Sequence, residues 1–126
     1  MAAVRVEVER PYILQIFGVT EEMFWEMTDE DTKCDLMDGV LYIHSPASIR
    51  HERIFRFLLN LLSAYVEKFG LGEVLGSRAV MDLGPQRKFE PDIMFVKAEN
   101  LDRIGEKAVH GPADLVVEIV SEGTKS

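Results

Sequence analysis

The most constraining feature of the chain is an amphipathic segment from Ile49 to Phe69. Ser48 is placed to cap its first turn and Gly70 to end its last one. Short segments with strand character precede and follow it, so we expect a long helix packed on a sheet. The apolar residues that keep helical spacing and predict its buried face are Ile54, Leu58, Leu61, Leu62, Tyr65 and Phe69, with Phe55, Leu59 and Val66 beside them.

Two local signals predict the elements before this helix. Thr20 is a helix N-cap followed by two acids and several apolar residues, which predicts a short helix ending near Thr28. Asp38-Gly39 then separates the apolar runs Cys34 to Met37 and Val40 to Ile43. A two-residue turn of this composition accepts positive φ, so we expect a β-hairpin.

The second half of the chain has the pattern of a sheet. Its last strand, Asp114 to Val120, is almost uniformly apolar, which is typical of a strand buried on both faces. Pro91 suits the first position of the strand before it. The fold class predicted is α/β, with a mixed sheet flanked by helices. The strands expected here are Glu73 to Leu75, Ala79 to Leu83, Asp92 to Val96 and Asp114 to Val120, with a helical turn from Asn100 to Ile104.

Length and charge limit the class of protein. The 126 residues suffice for one domain, residues 1–126. The N-terminus has no apolar stretch of signal-peptide length and no transmembrane run follows, so we expect a cytoplasmic protein. Cys34 is the single cysteine of the chain, so it forms neither an internal disulfide nor a CxxC zinc motif. The chain ends shortly after its most apolar strand, so we expect a missing C-terminal segment, or a second copy in a homodimer or larger homo-oligomer, to cover that strand.

Two acids lie within apolar strands and need a compensating partner. Glu118 follows Leu115-Val116-Val117, and Asp92 precedes Ile93-Met94-Phe95-Val96. A buried carboxylate is costly unless it is paired, protonated or bound to a cation. A salt bridge or a hydrogen-bonded strand end would explain either acid alone. Together they favour a hard, oxygen-rich site for Mg²⁺ or Mn²⁺.

Several motifs occur along the chain in a fixed order. They are Asp35-Leu36-Met37-Asp38-Gly39, Ser45-Pro46, His51 at the start of a long helix, Pro91-Asp92, and Pro112-Ala113-Asp114-Leu115-Val116-Val117-Glu118-Ile119-Val120-Ser121. In this order they resemble the Uma-type restriction endonucleases of the PD-(D/E)XK superfamily, and the resemblance extends from about Thr20 to Ser121. It implies a restriction-endonuclease-like fold and a metal-dependent nuclease acting on DNA.

The resemblance also implies roles for individual residues. Asp92 and Glu118 would bind a metal that activates a water for attack on a phosphodiester. Asp35 would be an accessory acid near the metal, and His51 a supporting group or proton carrier, although an exposed helix-start histidine is the alternative. The superfamily's lysine, two residues after the glutamate, is replaced by Val120. Lys125 is a candidate substitute.

Basic residues are the expected contacts to DNA, against a net charge of −8. Arg50, Arg53 and Arg56 recur every third position along the long helix, while Arg78, Arg87 and Lys88 are expected in loops leading to Asp92. A solvated helix face explains the arginine stripe equally well.

Two other functions remain open on the sequence. One is a catalytically inactive interaction module, whose acids form a buried polar network and whose exposed strand edge recruits another copy. The other keeps the metal site but hydrolyses a different phosphoester.

Overall fold

The computed structural model describes residues 12–28, 32–76 and 78–120. Its elements confirm the predicted mixed α/β class. A 3-10 helix, Ala98–Arg103, separates the seventh and eighth strands. In chain order the elements are β1 (Ile13–Phe17), α1 (Glu21–Met27), β2 (Cys34–Met37), β3 (Val40–His44), α2 (Ile49–Phe69), β4 (Gly72–Leu75), β5 (Val80–Gly84), β6 (Arg87–Phe89), β7 (Ile93–Lys97), β8 (Ala108–His110) and β9 (Leu115–Val117).

The described strands form two sheets. The larger has six strands in the order β1-β3-β2-β6-β5-β8, and the smaller has the order β4-β7-β9. Only β5 and β8 pair in parallel in the described residues, so the larger sheet is mixed and the smaller is antiparallel. The chain passes from the larger sheet to the smaller between β6 and β7, at residues 90–92. These residues therefore lie where the two sheets meet.

The local signals before α2 are confirmed. The hydroxyl of Thr20 accepts a hydrogen bond from the Met23 N–H at the start of α1. Asp38 and Gly39 have φ values of 50° and 82° between β2 and β3, as a tight hairpin turn requires. The turn fixes the register of β2 on β3, and this register places Asp35 opposite Tyr42.

Helix α2 has the predicted bounds and caps, but less of its apolar surface is buried than predicted. The Ser48 hydroxyl accepts from the His51 N–H, and Gly70 adopts the left-handed conformation after the last turn. The helix packs against β4. Val66 is its one buried residue, whereas Phe57, Leu61, Tyr65 and Phe69 are exposed. The periodicity located the helix correctly, but Ile54, Leu61, Tyr65 and Phe69 of the expected buried face are exposed in the described structure.

Strand β9 differs from its prediction in length and in burial. It ends at Val117 rather than Val120, and Leu115 and Val116 are exposed. Within the described residues β9 pairs with β7 alone, so it is an edge strand of the small sheet. The prediction that this strand is buried on both faces is therefore wrong for the described chain.

Two groups of buried residues form the core. One lies between α1 and the larger sheet and consists of Val19, Phe24, Cys34, Leu36, Leu41, Val80 and Ala108. The other, Met94, Val96 and Val109, joins the strands of the smaller sheet to β8. Neither helix in the described part of the chain combines the length and apolar character of a membrane span.

Candidate active site

The pairing of β7 with β9 brings Asp92 and Glu118 together. Ile93 is paired with Val117 in this antiparallel ladder. The residue just before β7 therefore lies beside the residue just after β9, and these residues are Asp92 and Glu118. The two acids are neighbours, as expected from the sequence, because the register of β7 on β9 places them side by side.

Each of the two acids binds the backbone of the other segment. Glu118 Oε1 accepts the Asp92 N–H at 2.9 Å, and Asp92 Oδ2 accepts the Ile119 N–H at 2.7 Å. Among the described residues, this reciprocal arrangement gives one oxygen of each carboxylate, Asp92 Oδ1 and Glu118 Oε2, no backbone donor. Both of these oxygens face the same position in space, which the ammonium group of Lys33 occupies.

Lys33 lies directly before β2 and contacts both acids. Its Nζ is 2.9 Å from Glu118 Oε2 and 3.6 Å from Asp92 Oδ1. Burial acts to lower the pKa of Lys33, but the hydrogen bond to Glu118 and the negative charges of Asp92, Glu118 and Asp35 outweigh it and raise the pKa above its usual value. Lys33 is therefore a charged internal cation.

The two carboxylates are not equally buried, contrary to the sequence-based expectation. The Asp92 side chain is 4% exposed, whereas that of Glu118 is 50% exposed. Glu118 follows an edge strand, so one side of its carboxylate faces the cleft. Only Asp92 is buried deeply enough to need a compensating partner. The Ile119 N–H and the Lys33 ammonium provide part of that compensation.

His51 approaches Asp92 from the first turn of α2. Its Nε2 lies 3.4 Å from Asp92 Oδ2, and the capped helix start fixes its backbone. The other ring nitrogen, Nδ1, is buried and has no hydrogen-bond partner among the described residues. A buried nitrogen without a partner is uncommon away from functional positions.

A second layer of polar groups supports these acids. Asp35 Oδ1 accepts the Glu90 N–H at 2.8 Å, and Asp35 Oδ2 lies 3.0 Å from His44 Nε2. Glu90 Oε2 in turn accepts the Cys34 N–H at 2.8 Å. These bonds join the start of β2 to residues 90–92. Asp35 thus binds the segment that leads into Asp92, and its negative charge acts on Lys33.

Lys33, His44, His51, Asp92 and Glu118 line a cleft of about 620 Å³. One wall consists of the segment from His44 to Ser48 and the first turns of α2, and the opposite wall carries Asp92 and Glu118. Its cationic side chains are Lys33 and Arg78. Arg78 has a φ of 75°, which is unfavourable for a residue with a Cβ and is typical of constrained positions near functional sites.

The predicted basic residues lie mostly elsewhere. Arg50, Arg53 and Arg56 are exposed on α2 but do not line the cleft. Arg87 is exposed on β6. Lys88 also lies in β6 rather than in a loop, and its side chain is 1% exposed. Its ammonium donates to Glu21, Asp82 and the Gly84 carbonyl, so it has no remaining donor for a phosphate.

Sequence reasoning missed Lys33, Glu90 and His44, whereas Arg78, one of the basic loop residues expected near Asp92, does line the cleft. Lys33 and Glu118 are 85 residues apart, and Glu90 and Cys34 are 56 apart. No spacing pattern links such distant positions. The one local signal was that Glu90 immediately precedes Pro91-Asp92. Lys125, the predicted substitute for the missing lysine, lies outside the described residues.

The free oxygens of Asp92 and Glu118 suit a hard divalent cation. A stand-in cation, the Lys33 ammonium, already lies at both of them. Among the described residues, no group of three or more His, Cys, Asp or Glu side chains is arranged to hold a metal ion. Mg²⁺ commonly binds through one or two carboxylates, with water and substrate phosphate as its other ligands, so two carboxylates are an adequate set.

Comparison with known proteins identifies the family. The family model Uma2, described as putative restriction endonuclease, matches residues 21–126 and so includes every residue of the cleft except Tyr12. The curated proteins contain no match to the chain. The restriction-endonuclease-like superfamily generally uses divalent metals. With its mixed α/β fold, the chain belongs to the Uma2 family of putative restriction endonucleases within that superfamily.

Proposed function

We propose that the protein is a metal-dependent endonuclease that hydrolyses phosphodiester bonds in DNA at the cleft between α2 and the β7–β9 pair. The observation that carries this proposal is the convergence of Asp92 Oδ1 and Glu118 Oε2 on one cation position, where the ammonium of Lys33 lies. The family match supports the choice of a nucleic acid as the substrate. Mg²⁺ is the preferred ion and Mn²⁺ the alternative.

In this proposal each residue of the cleft has a separate task. Asp92 and Glu118 hold the divalent ion, which supplies a water of lowered pKa and positive charge beside the phosphate. The backbone N–H groups of Ile119 and Asp92 orient the two carboxylates. His51 positions Asp92 through Nε2, and the contacts of Asp35 with the Glu90 N–H and His44 fix the segment that leads into Asp92. Arg78, which also lines the cleft, would meet a phosphate.

The proposal is tested by metal binding and cleavage together. We expect Mg²⁺ or Mn²⁺ at several times its dissociation constant to raise the melting temperature of the parent protein, because the ion binds only the folded state. Asp92→Asn and Glu118→Gln should each remove this rise, whereas Glu73→Gln, an exposed acid of β4 outside the cleft, should keep it. Differential scanning fluorimetry over a metal titration measures the effect.

Cleavage assays then identify the substrate. Duplex DNA, single-stranded DNA and RNA are incubated with each metal, and we expect Asp92→Asn to slow cleavage by at least about a hundredfold, the upper end of the cost of losing supporting groups alone. Metal-dependent stabilisation without cleavage of any of the three would retain the metal site and reject a nucleic acid as the substrate. An unchanged metal response in both site variants would reject the assignment of the ligands.

A second candidate function, an inactive module that binds another copy of itself, is favoured by the exposed apolar residues of α2. Phe57, Leu61 and Tyr65 lie one helical turn apart on its surface. Two antiparallel copies of α2 would bury these residues against each other. This candidate predicts no metal response and a molar mass that rises with concentration.

A further inference from the structure

Lys33 holds the position that a divalent ion needs. The two oxygens that it contacts are those the reciprocal backbone hydrogen bonds leave available, Asp92 Oδ1 and Glu118 Oε2. The Lys33 side chain is 20% exposed, so the cleft gives it limited access to water. In the absence of a metal, its charge offsets part of the repulsion between the two carboxylates.

An ammonium group and a divalent ion cannot share these two oxygens. Mg²⁺ lies about 2.0 to 2.1 Å from its oxygen ligands. An ion at that distance from both carboxylates would occupy the space that Lys33 Nζ takes at 2.9 Å from Glu118. The two positive charges would also repel each other at contact distance. Binding of one cation therefore requires the departure of the other.

We propose that Lys33 is an exchangeable internal cation, which occupies the metal position in the metal-free protein and must leave Asp92 and Glu118 before a divalent ion binds. The inference rests on the proposed metal site and adds its regulation: Lys33 sets the metal concentration at which the site fills. A lysine that instead works beside a bound metal would keep its contact with Asp92 or Glu118, and its reactivity toward reagents in solution would not rise when the metal binds.

The first test measures metal affinity without any substrate. Mn²⁺ is titrated into the full chain and the free ion is followed by electron paramagnetic resonance. Lys33→Met removes the charge and keeps the length of the side chain, and Lys33→Gln is a second, polar replacement. We expect both to bind Mn²⁺ at least about tenfold more tightly than the parent, since the competing ion pair is gone. Lys97→Met, which removes an exposed lysine outside the cleft, should bind like the parent.

The second test uses the unmodified protein and does not depend on the variants folding. Lysines are acylated with a small anhydride with and without saturating Mn²⁺, and each site is quantified by mass spectrometry. An ammonium released from two carboxylates reacts faster, so Mn²⁺ should increase the labelling of Lys33 severalfold and leave that of Lys97 unchanged. Equal or slower labelling of Lys33 with Mn²⁺ would overturn the proposal.

The outcomes separate this inference from the proposed function. If the parent binds Mn²⁺, Asp92→Asn abolishes binding, and Lys33→Met binds no more tightly than the parent, the metal site stands and the exchange by Lys33 is rejected. If neither the parent nor the Lys33 variants bind Mn²⁺, the proposed metal site fails and the exchange fails with it.

Discussion

Glu90 is the residue whose environment most changes its chemistry. It is 3% exposed and lies at the crossing between the two sheets. Burial raises the pKa of Glu90 to about 7, the nearby charge of Asp35 acts in the same direction, and the hydrogen bond from the Cys34 N–H opposes them. The folded protein therefore favours the protonated carboxyl over much of the acidic pH range.

We expect Glu90 to make the protein less stable as the pH rises through neutrality. Its pKa is higher in the folded chain than the usual 4.5, so its contribution to stability is complete below pH 4.5 and is lost as the pH rises through about 7. Between pH 5 and 8 this loss amounts to roughly 2 kcal/mol, since a tenfold change in proton affinity corresponds to about 1.4 kcal/mol.

Glu90→Gln tests this expectation, because the amide oxygen can still accept the Cys34 N–H but does not ionise. Urea unfolding from pH 5 to 8 should show the variant gaining stability relative to the parent as the pH rises. The exposed Glu106→Gln is the control and should follow the parent. Parallel pH curves for the parent and Glu90→Gln would contradict the assignment of this proton to Glu90.

The sequence identified the two acids that meet at the cleft and the histidine beside them. Asp92 and Glu118 were recognisable because each acid adjoins an apolar run, and the structure brings them together with His51 nearby. The expected burial of both acids was correct for Asp92 but wrong for Glu118, whose side chain is 50% exposed. Lys33 could not be predicted, because a single lysine before a strand carries no signal of its distant partner.

At the scale of elements, local signals were sufficient for the helices and the hairpin but not for all strands. Caps and turn residues lie within a few positions of the element they define, so α1, α2 and the β2–β3 turn were predicted with accurate bounds. Strands β1, β6 and β8 were missed. Strand β6 is short and polar, and it forms because β2 and β5 pair with it on either side.

The buried lysine of β6 joins three elements. Lys88 in β6 donates to Glu21 at the start of α1 and to Asp82 of β5 at 2.6 Å, and it lies 5.8 Å from the centre of the Trp25 ring. Burial acts to raise the pKa of Asp82, but the hydrogen bonds from Lys88 and the Gly84 N–H hold it below its usual value. Asp82 therefore stabilises the fold above its normal pKa, and this contribution is lost as the pH falls.

Lys88→Met should lower the free energy of unfolding at pH 7 by about 3 kcal/mol, because it leaves Asp82 partly buried without its cation. Urea unfolding monitored by Trp25 fluorescence measures the change. Adding Asp82→Asn to this variant should recover part of the loss, since it removes the unpaired charge. Lys107→Met, at an exposed lysine, should change the stability by less than about 0.5 kcal/mol. A loss in Lys88→Met no larger than in this control would show that the ion pairs stabilise little.

At the scale of the whole molecule, apolar surface is unevenly distributed. The described chain covers the core between α1 and the larger sheet, yet it leaves Phe57, Leu61, Tyr65 and Phe69 of α2 and Leu115 and Val116 of β9 exposed. Periodicity predicted an apolar face on α2, but it could not predict how much of that face the rest of the chain would cover. How much of the face is buried depends on how the helices and sheets pack together, and a local sequence pattern does not determine that packing.

An exposed stripe of large apolar side chains on a helix favours association. We expect the average molar mass in sedimentation equilibrium to rise with protein concentration from that of the 14.3 kDa monomer towards a dimer. Phe57→Ser with Leu61→Ser should shift the midpoint of this rise at least about tenfold higher in concentration, because two central contacts are lost on each copy.

Arg87→Ser, an exposed residue of β6 away from α2, should leave the midpoint unchanged. Association through α2 leaves the carboxylates of the cleft available, so Mn²⁺ should stabilise the monomeric double variant as it does the parent. A dimer that persists in the double variant would show that the two copies contact each other through another surface. The edge of β9 would then be the next surface to mutate. A dimer that dissociates while the metal response disappears would instead mean that the cleft is complete only in the assembled protein.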